Sequence, residues 1–180
     1  MKHNFKTKAV LVAGGVLAGL ASLVPMTTYA IDNPATATVT AKINPYITID
    51  AASGGSTQGD AGKILTTSIS ATVTTNSKYT IAVKTATSET AMKAEGVTEG
   101  IPASANVAEN VSAWAIKAKN ADGTEDDVYT AMKATDTTLY TSNAGAVSAA
   151  KTDFTVGIST APSITAGSYS VNLIITAANV

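Results

Sequence analysis

Asp122, Glu125, Asp126 and Asp127 put four carboxylates within six positions of one another, around Gly123. Oxygen ligands this close together could hold Ca²⁺, a hard cation that takes carboxylate and carbonyl oxygens. Their spacing departs from the EF-hand loop, and a solvated acidic hairpin tip is the other reading of the same residues. Trp114 and the tyrosines offer aromatic faces on which a sugar ring could stack. A strand tryptophan is also the largest apolar surface a core can bury, and the core reading is the preferred one. Ser148 and Lys151 have the Ser-x-x-Lys spacing in which a lysine can activate a serine, but the companion motifs of that chemistry are missing. His3 is the only histidine, and the chain contains no cysteine and no arginine. Beyond residue 30 there is therefore no imidazole base, thiolate nucleophile or histidine-containing triad. The expectation is a protein with no catalytic and no cofactor-binding residues, calcium being the one cofactor to test.

The elements that would carry these side chains begin after a distinct N-terminal segment. Lys2, Lys6 and Lys8 form a positive head, and an uncharged apolar run of 16 residues follows from Ala9 to Val24. Pro25 interrupts it, and Thr28-Tyr29-Ala30 supplies the small residues a signal peptidase reads. This is the layout of a secretory signal peptide over residues 1–30, with Ile31 as the new N-terminus. A spanning helix wants about 20 apolar residues, so a membrane anchor fits less well. Residues 31–180 are then one domain, long enough for a core, with no stable membrane insertion, secreted or held at the cell surface. They keep nine lysines and all thirteen acids, a net charge of −4 with no basic stripe. Nucleic acid is excluded as a partner on that ground. Without cysteine, stability outside the cell must come from packing.

Period-two alternation recurs along the domain and marks half-buried strands. Val39, Ala41 and Ile43 share one parity, and Ile47 and Ile49 resume it after Asn44-Pro45. Ala51–Gly62 reads as a flexible connector. Leu65, Ile69, Ala71 and Val73 predict a long strand, and Tyr79, Ile81 and Val83 predict its partner across a tight Thr75–Lys78 hairpin. Thr85–Glu109 reads as a long surface excursion with a short helical turn near Ala91–Glu95. Trp114 and Ile116 lie on a strand ending at Lys119, and Asn120-Ala121-Asp122-Gly123 signals a turn to a return strand from Val128 to Met132. Leu139-Tyr140 is a weaker segment. Phe154, Val156 and Ile158 form one late strand, and Tyr169, Val171, Leu173, Ile175 and Ala177 a closing one. Seven to nine strands without crossover helices predict an all-β fold, an antiparallel β-sandwich of Ig-like or jelly-roll-like type.

Two smaller devices stand out. Gly167 lets the backbone enter the closing strand without a side-chain clash, and Tyr169 can bury its ring while its hydroxyl bonds the backbone at the sandwich edge. Trp114, Gly167 and Tyr169 are therefore read as structural residues. The alternating segment Ile31–Ile43 either pairs within its own domain, which is the preferred reading, or adds to a neighbour's sheet edge.

Three stretches carry a resemblance: "TVTAKINPYITID" over Thr38–Asp50, the Tyr79–Thr85 strand after "TTNSK", and "FTVGISTAPSITAGSYSVNLIITA" over Phe154–Ala177. Together, over residues 36–178, they resemble small exported β-sandwich surface proteins of Gram-positive and allied bacteria. The closing strand is loosely similar to that of WxL-type cell-wall-associated domains, but Leu173-Ile174-Ile175 stands where those carry a tryptophan. The architecture is similar to fibre-forming, pilin-like modules. The resemblance implies a structural or adhesive surface protein whose partners are itself or cell-wall components, and it carries over no binding residues. The alternative is a module that binds glycans or host ligands through the loops at 85–110 and 119–127.

Overall fold

The computed structural model describes residues 39–180, so the expected leader and residues 31–38 lie outside the described residues. Lys42–Val180 form one compact unit. It holds eight strands: β1 (Ile47–Ser53), β2 (Ile64–Thr75), β3 (Tyr79–Thr85), β4 (Ala113–Lys119), β5 (Glu125–Thr130), β6 (Thr137–Thr141), β7 (Val147–Ser159) and β8 (Leu173–Asn179). No helix occurs among the described residues. The strands form a five-stranded sheet in the order β1-β2-β7-β4-β5 and a three-stranded sheet in the order β6-β3-β8, antiparallel throughout.

Alternation builds the core between the sheets. Ile69, Ala71 and Val73 of β2, Trp114 and Ile116 of β4, and Phe154 and Val156 of β7 are buried from one side. Tyr79, Ile81 and Val83 of β3 and Leu139 of β6 meet them from the other. Threonine, β-branched and polar at its tip, fills the outward positions and suits a pleated, half-solvated surface. Every buried side-chain nitrogen or oxygen among the described residues has a hydrogen-bond partner.

The expected hairpin between β2 and β3 is not formed. The two strands lie in different sheets, and residues 76–78 arch from one layer to the other. Thr75 pins this arch: its Oγ1 lies 2.7 Å from Tyr46 O and 3.0 Å from Asn179 Oδ1, and it accepts from Ser77 N at 3.2 Å. Alternation marks which face of a strand is buried, and it is the same for strands that pair side by side and strands that stack face to face.

Other boundaries also move. Strand β1 runs on to Ser53, through residues expected to be a connector, with a bulge where Ile49 opposes Val73 and Ala51 opposes Thr72. Val39–Tyr46, expected to begin the strand pattern, carries no strand, and Val39 and Ile43 are 93% and 80% exposed. The closing strand starts at Leu173 and not at Tyr169, because Ser170 instead exchanges two backbone hydrogen bonds of 2.9 Å with Lys93. Lys93 belongs to the supposed surface excursion, which buries Met92, Ala94 and Ile101 and closes one end of the core. Met92 and Ile101 are bridged to each other, and the expected helical turn is absent there. The return strand begins at Glu125, earlier than expected, and ends at Thr130, leaving Met132 buried just beyond it.

Candidate functional site

The acidic cluster is spread along the β4–β5 hairpin. Asp122 caps its own turn, accepting from Thr124 N at 2.9 Å and Thr124 Oγ1 at 2.7 Å. Glu125 is taken up by the hydroxyl of Thr155 on β7. Glu125, Asp126 and Asp127 are consecutive strand residues at a point where the β4–β5 register shifts. Among the described residues no three acidic, histidine or cysteine side chains group as a metal site. Millimolar Ca²⁺ is expected to leave the melting temperature unchanged; a rise would show that the carboxylates converge on an ion.

Hydrogen bonds from the Thr124 hydroxyl and amide hold the Asp122 carboxyl below the usual carboxylate range. The hydroxyls of Thr74 and then Thr48 do the same for Asp50 at the β1 bulge. A folded-state pKa below the unfolded one stabilises the fold at pH values above the ordinary aspartate range, and that stability is lost as pH falls through the lowered pKa. Melting temperature should therefore drop on acidification below the usual carboxylate range and stay flat at neutral pH. Asp50→Asn, which removes the charge while keeping the shape, should reduce the drop.

Trp114 is fully buried, and its Nε1 donates to Thr90 O at 2.9 Å. It is core, with its one polar atom satisfied, and presents no stacking face. Ser148 and Lys151 are exposed on β7, and the Lys151 ammonium pairs with Asp153 at 2.8 Å. Tyr169 Oη donates to Thr165 O at 2.8 Å, closing a small corner before β8. Gly167 beside it is closely packed: a Cβ there would stand 3.1 Å from the Ala94 Cβ, tighter than an ordinary contact.

One concavity was not foreseen from the sequence. A groove of about 1070 Å³ runs between the edges of the two sheets. Leu65, Ile69, Val156 and Ile158 of the larger sheet and Leu173 and Ile175 of β8 line it, with residues 164–172 beside β8 and residues 54–61 as a rim. That rim sits tightly on β2: Thr67 Oγ1 donates to Ser56 O at 3.1 Å, and a Cβ on Gly55 would come within 2.3 Å of Ser68 O. The glycine-rich stretch is thus a fitted border.

Strand β8 gives the groove its chemistry. It pairs only with β3 among the described residues. Val180 N donates to Lys78 O at 3.0 Å, and Ala86 N to Asn172 O at 2.8 Å, at the two ends of an unbroken register. In an antiparallel pair the bonded positions alternate. Ile174, Thr176 and Ala178 therefore bond β3, whereas the N–H and C=O groups of Leu173, Ile175 and Ala177 face away from β3, on the side where β1 of the other sheet runs nearby. Those same three residues turn their side chains toward the core. One row of positions thus presents both apolar side chains and unpaired backbone.

The other edges are defended, as edge strands usually are, by charge, bulges or shortness. Strand β1 has the Asp50 bulge, β5 opens with three acids, and β6 has five residues preceded by Asp136, which pairs with Lys84 at 3.2 Å. The β8 sequence LIITAAN has no charge, no proline and no bulge. No protein-family model, curated protein or solved structure was found to match this chain.

Proposed function

We propose that the chain is an exported, non-catalytic structural module of the cell surface, an Ig-like or jelly-roll-like sandwich that associates with copies of itself or with wall components. The observation that carries this reading is the uncharged β8 edge beside a groove of mixed polar and apolar lining, in a fold whose other edges are blunted. An edge with no charge, proline or bulge invites another strand, and natural monomers avoid leaving one. The leader-like N-terminus supports export. The absence of histidine, cysteine and arginine from residues 31–180 supports structural work over catalysis. Expression of the full chain with its own leader, followed by purification of the exported product, tests the proposal. Electron microscopy and sedimentation should show fibres or oligomers that grow with concentration. Monodisperse particles that bind glycans would replace this reading with loop-based recognition, and retention of the chain inside the cell would remove it.

A further inference from the structure

We propose that the groove beside β8 receives the segment Ala35–Ile43 of a second copy as an added strand. This deepens the reading of the chain as a self-associating surface module and rests on it. Backbone pairing along a sheet edge supplies affinity, and alternate side chains entering a groove supply specificity.

The apolar part of the groove, Leu65, Ile69, Leu173 and Ile175, suits an extended strand with small apolar residues at every second position. Ala35, Ala37, Val39, Ala41 and Ile43 supply them, with threonines and Lys42 on the outward parity. Nine residues at about 3.3 Å each span roughly 30 Å, enough to run the length of β8. Asn44-Pro45 then ends the pattern, since proline cannot donate to a ladder.

The root of this segment is fixed to its own body. Tyr46 N donates to Asn76 Oδ1 at 2.9 Å, and Asn76 Nδ2 donates to Asn44 O at 3.0 Å. This anchorage lies at the β2–β3 arch, where Thr75 also meets Asn179 at the C-terminal end of β8. The groove is lined by Leu173 and Ile175, toward the other end of β8. Immediately before this root, Ile43 is 80% exposed and in no strand. Arm root and groove therefore lie at opposite ends of the sandwich. A donor at one end and an acceptor at the other give a heterologous contact, which propagates as an open filament unless it closes into a ring.

The chain has no cysteine, so introduced pairs report cleanly. The test is oxidation of exported full-length chains carrying Leu173→Cys together with Ala37→Cys, Val39→Cys, Ala41→Cys or Ile43→Cys, the four positions covering alternative registers. A covalent ladder of dimers, trimers and longer species is expected from at least one pair. A closed monomer would mean that the arm fills its own groove, and no linkage at any position would mean that it fills none; either result overturns the proposal. In parallel, Val39→Asp and Ile43→Asp should raise the concentration needed for assembly by on the order of tenfold or more, the equivalent of about 1.4 kcal/mol. Thr40→Asp, on the outward parity, should leave it within about twofold. Assembly that ignores Val39→Asp and Ile43→Asp defeats the arm while leaving self-association standing. A wild-type chain that stays monomeric at every concentration defeats the underlying reading itself.

Discussion

Trp114→Ala is expected to destabilise the fold by about 3–5 kcal/mol, the usual cost of removing a fully buried large aromatic. Domains of this size are stable by roughly 5–15 kcal/mol, so one substitution consumes a large part of the margin. The physical reasons are specific to the site. Trp114 is inaccessible to solvent, sits on β4 between Ala113 and Ala115, which are also fully buried, and pairs with Ile158 of β7. Small neighbours cannot swell to fill the void, so the cavity persists and its lining loses contacts. The Thr90 carbonyl, which accepts from the indole at 2.9 Å, loses its donor, and this loosens the 85–110 excursion as well. Urea unfolding followed by circular dichroism measures the loss, with Val128→Ala as control. Val128 is 64% exposed, and truncation there should fall within about 0.5 kcal/mol of zero. In the parent protein the single tryptophan should emit at short wavelength and stay unmoved by added glycans. Red-shifted emission, or a loss below about 1 kcal/mol on truncation, would place Trp114 outside the core.

The second large effect separates two adjacent alanines. Ala178 lies at a position whose N–H bonds β3, where it faces Thr80, and Ala177 at one whose N–H faces the open edge. Proline removes an N–H at either site but breaks a ladder bond only at Ala178. Ala178→Pro should therefore cost on the order of 1–3 kcal/mol through the orphaned carbonyl of Thr80, with further loss from ring crowding. Ala177→Pro should fold within about 1 kcal/mol of the parent and yet abolish assembly, because its ring projects into the space an incoming strand would occupy. The readouts are denaturant midpoint for stability and sedimentation for assembly. If the two variants behave alike in both, the bonding parity assigned to β8 is wrong.

Much of this fold could be read from residue types alone, and the reason is local. Alternation in Leu65–Val73, Tyr79–Val83 and Phe154–Ile158 is a property of each strand by itself, set by which side is wet. What alternation does not encode is who sits beside whom. The β2–β3 connection shows the cost: the same pattern serves a hairpin and an arch, and the arch is decided by Thr75 meeting Tyr46 and Asn179, distant in sequence. The 85–110 excursion was opaque for a related reason. Met92 and Ile101 are single apolar residues among polar ones, and their burial depends on a bridge between them and on the Lys93–Ser170 pairing. The acidic cluster was visible as composition, but whether four carboxylates converge depends on the backbone path through the turn and the shifted β4–β5 register, where Asp122 is held by Thr124 and Glu125 by Thr155. The groove was invisible because it is made by two edges from different sheets. A signal was present in LIITAAN, a closing strand with none of the charges or prolines that protect the edges of other sheets.

Amide hydrogen exchange along β8 tests the central claim most directly. In the dilute, monomeric protein, Ile174, Thr176 and Ala178 should exchange slowly because their amides bond β3, while Leu173, Ile175 and Ala177 exchange quickly into open solvent. On assembly the second set should become protected while the first is unchanged. Uniform protection of all six amides in the monomer would contradict the account, since it would mean that the edge is already covered and no strand is awaited there.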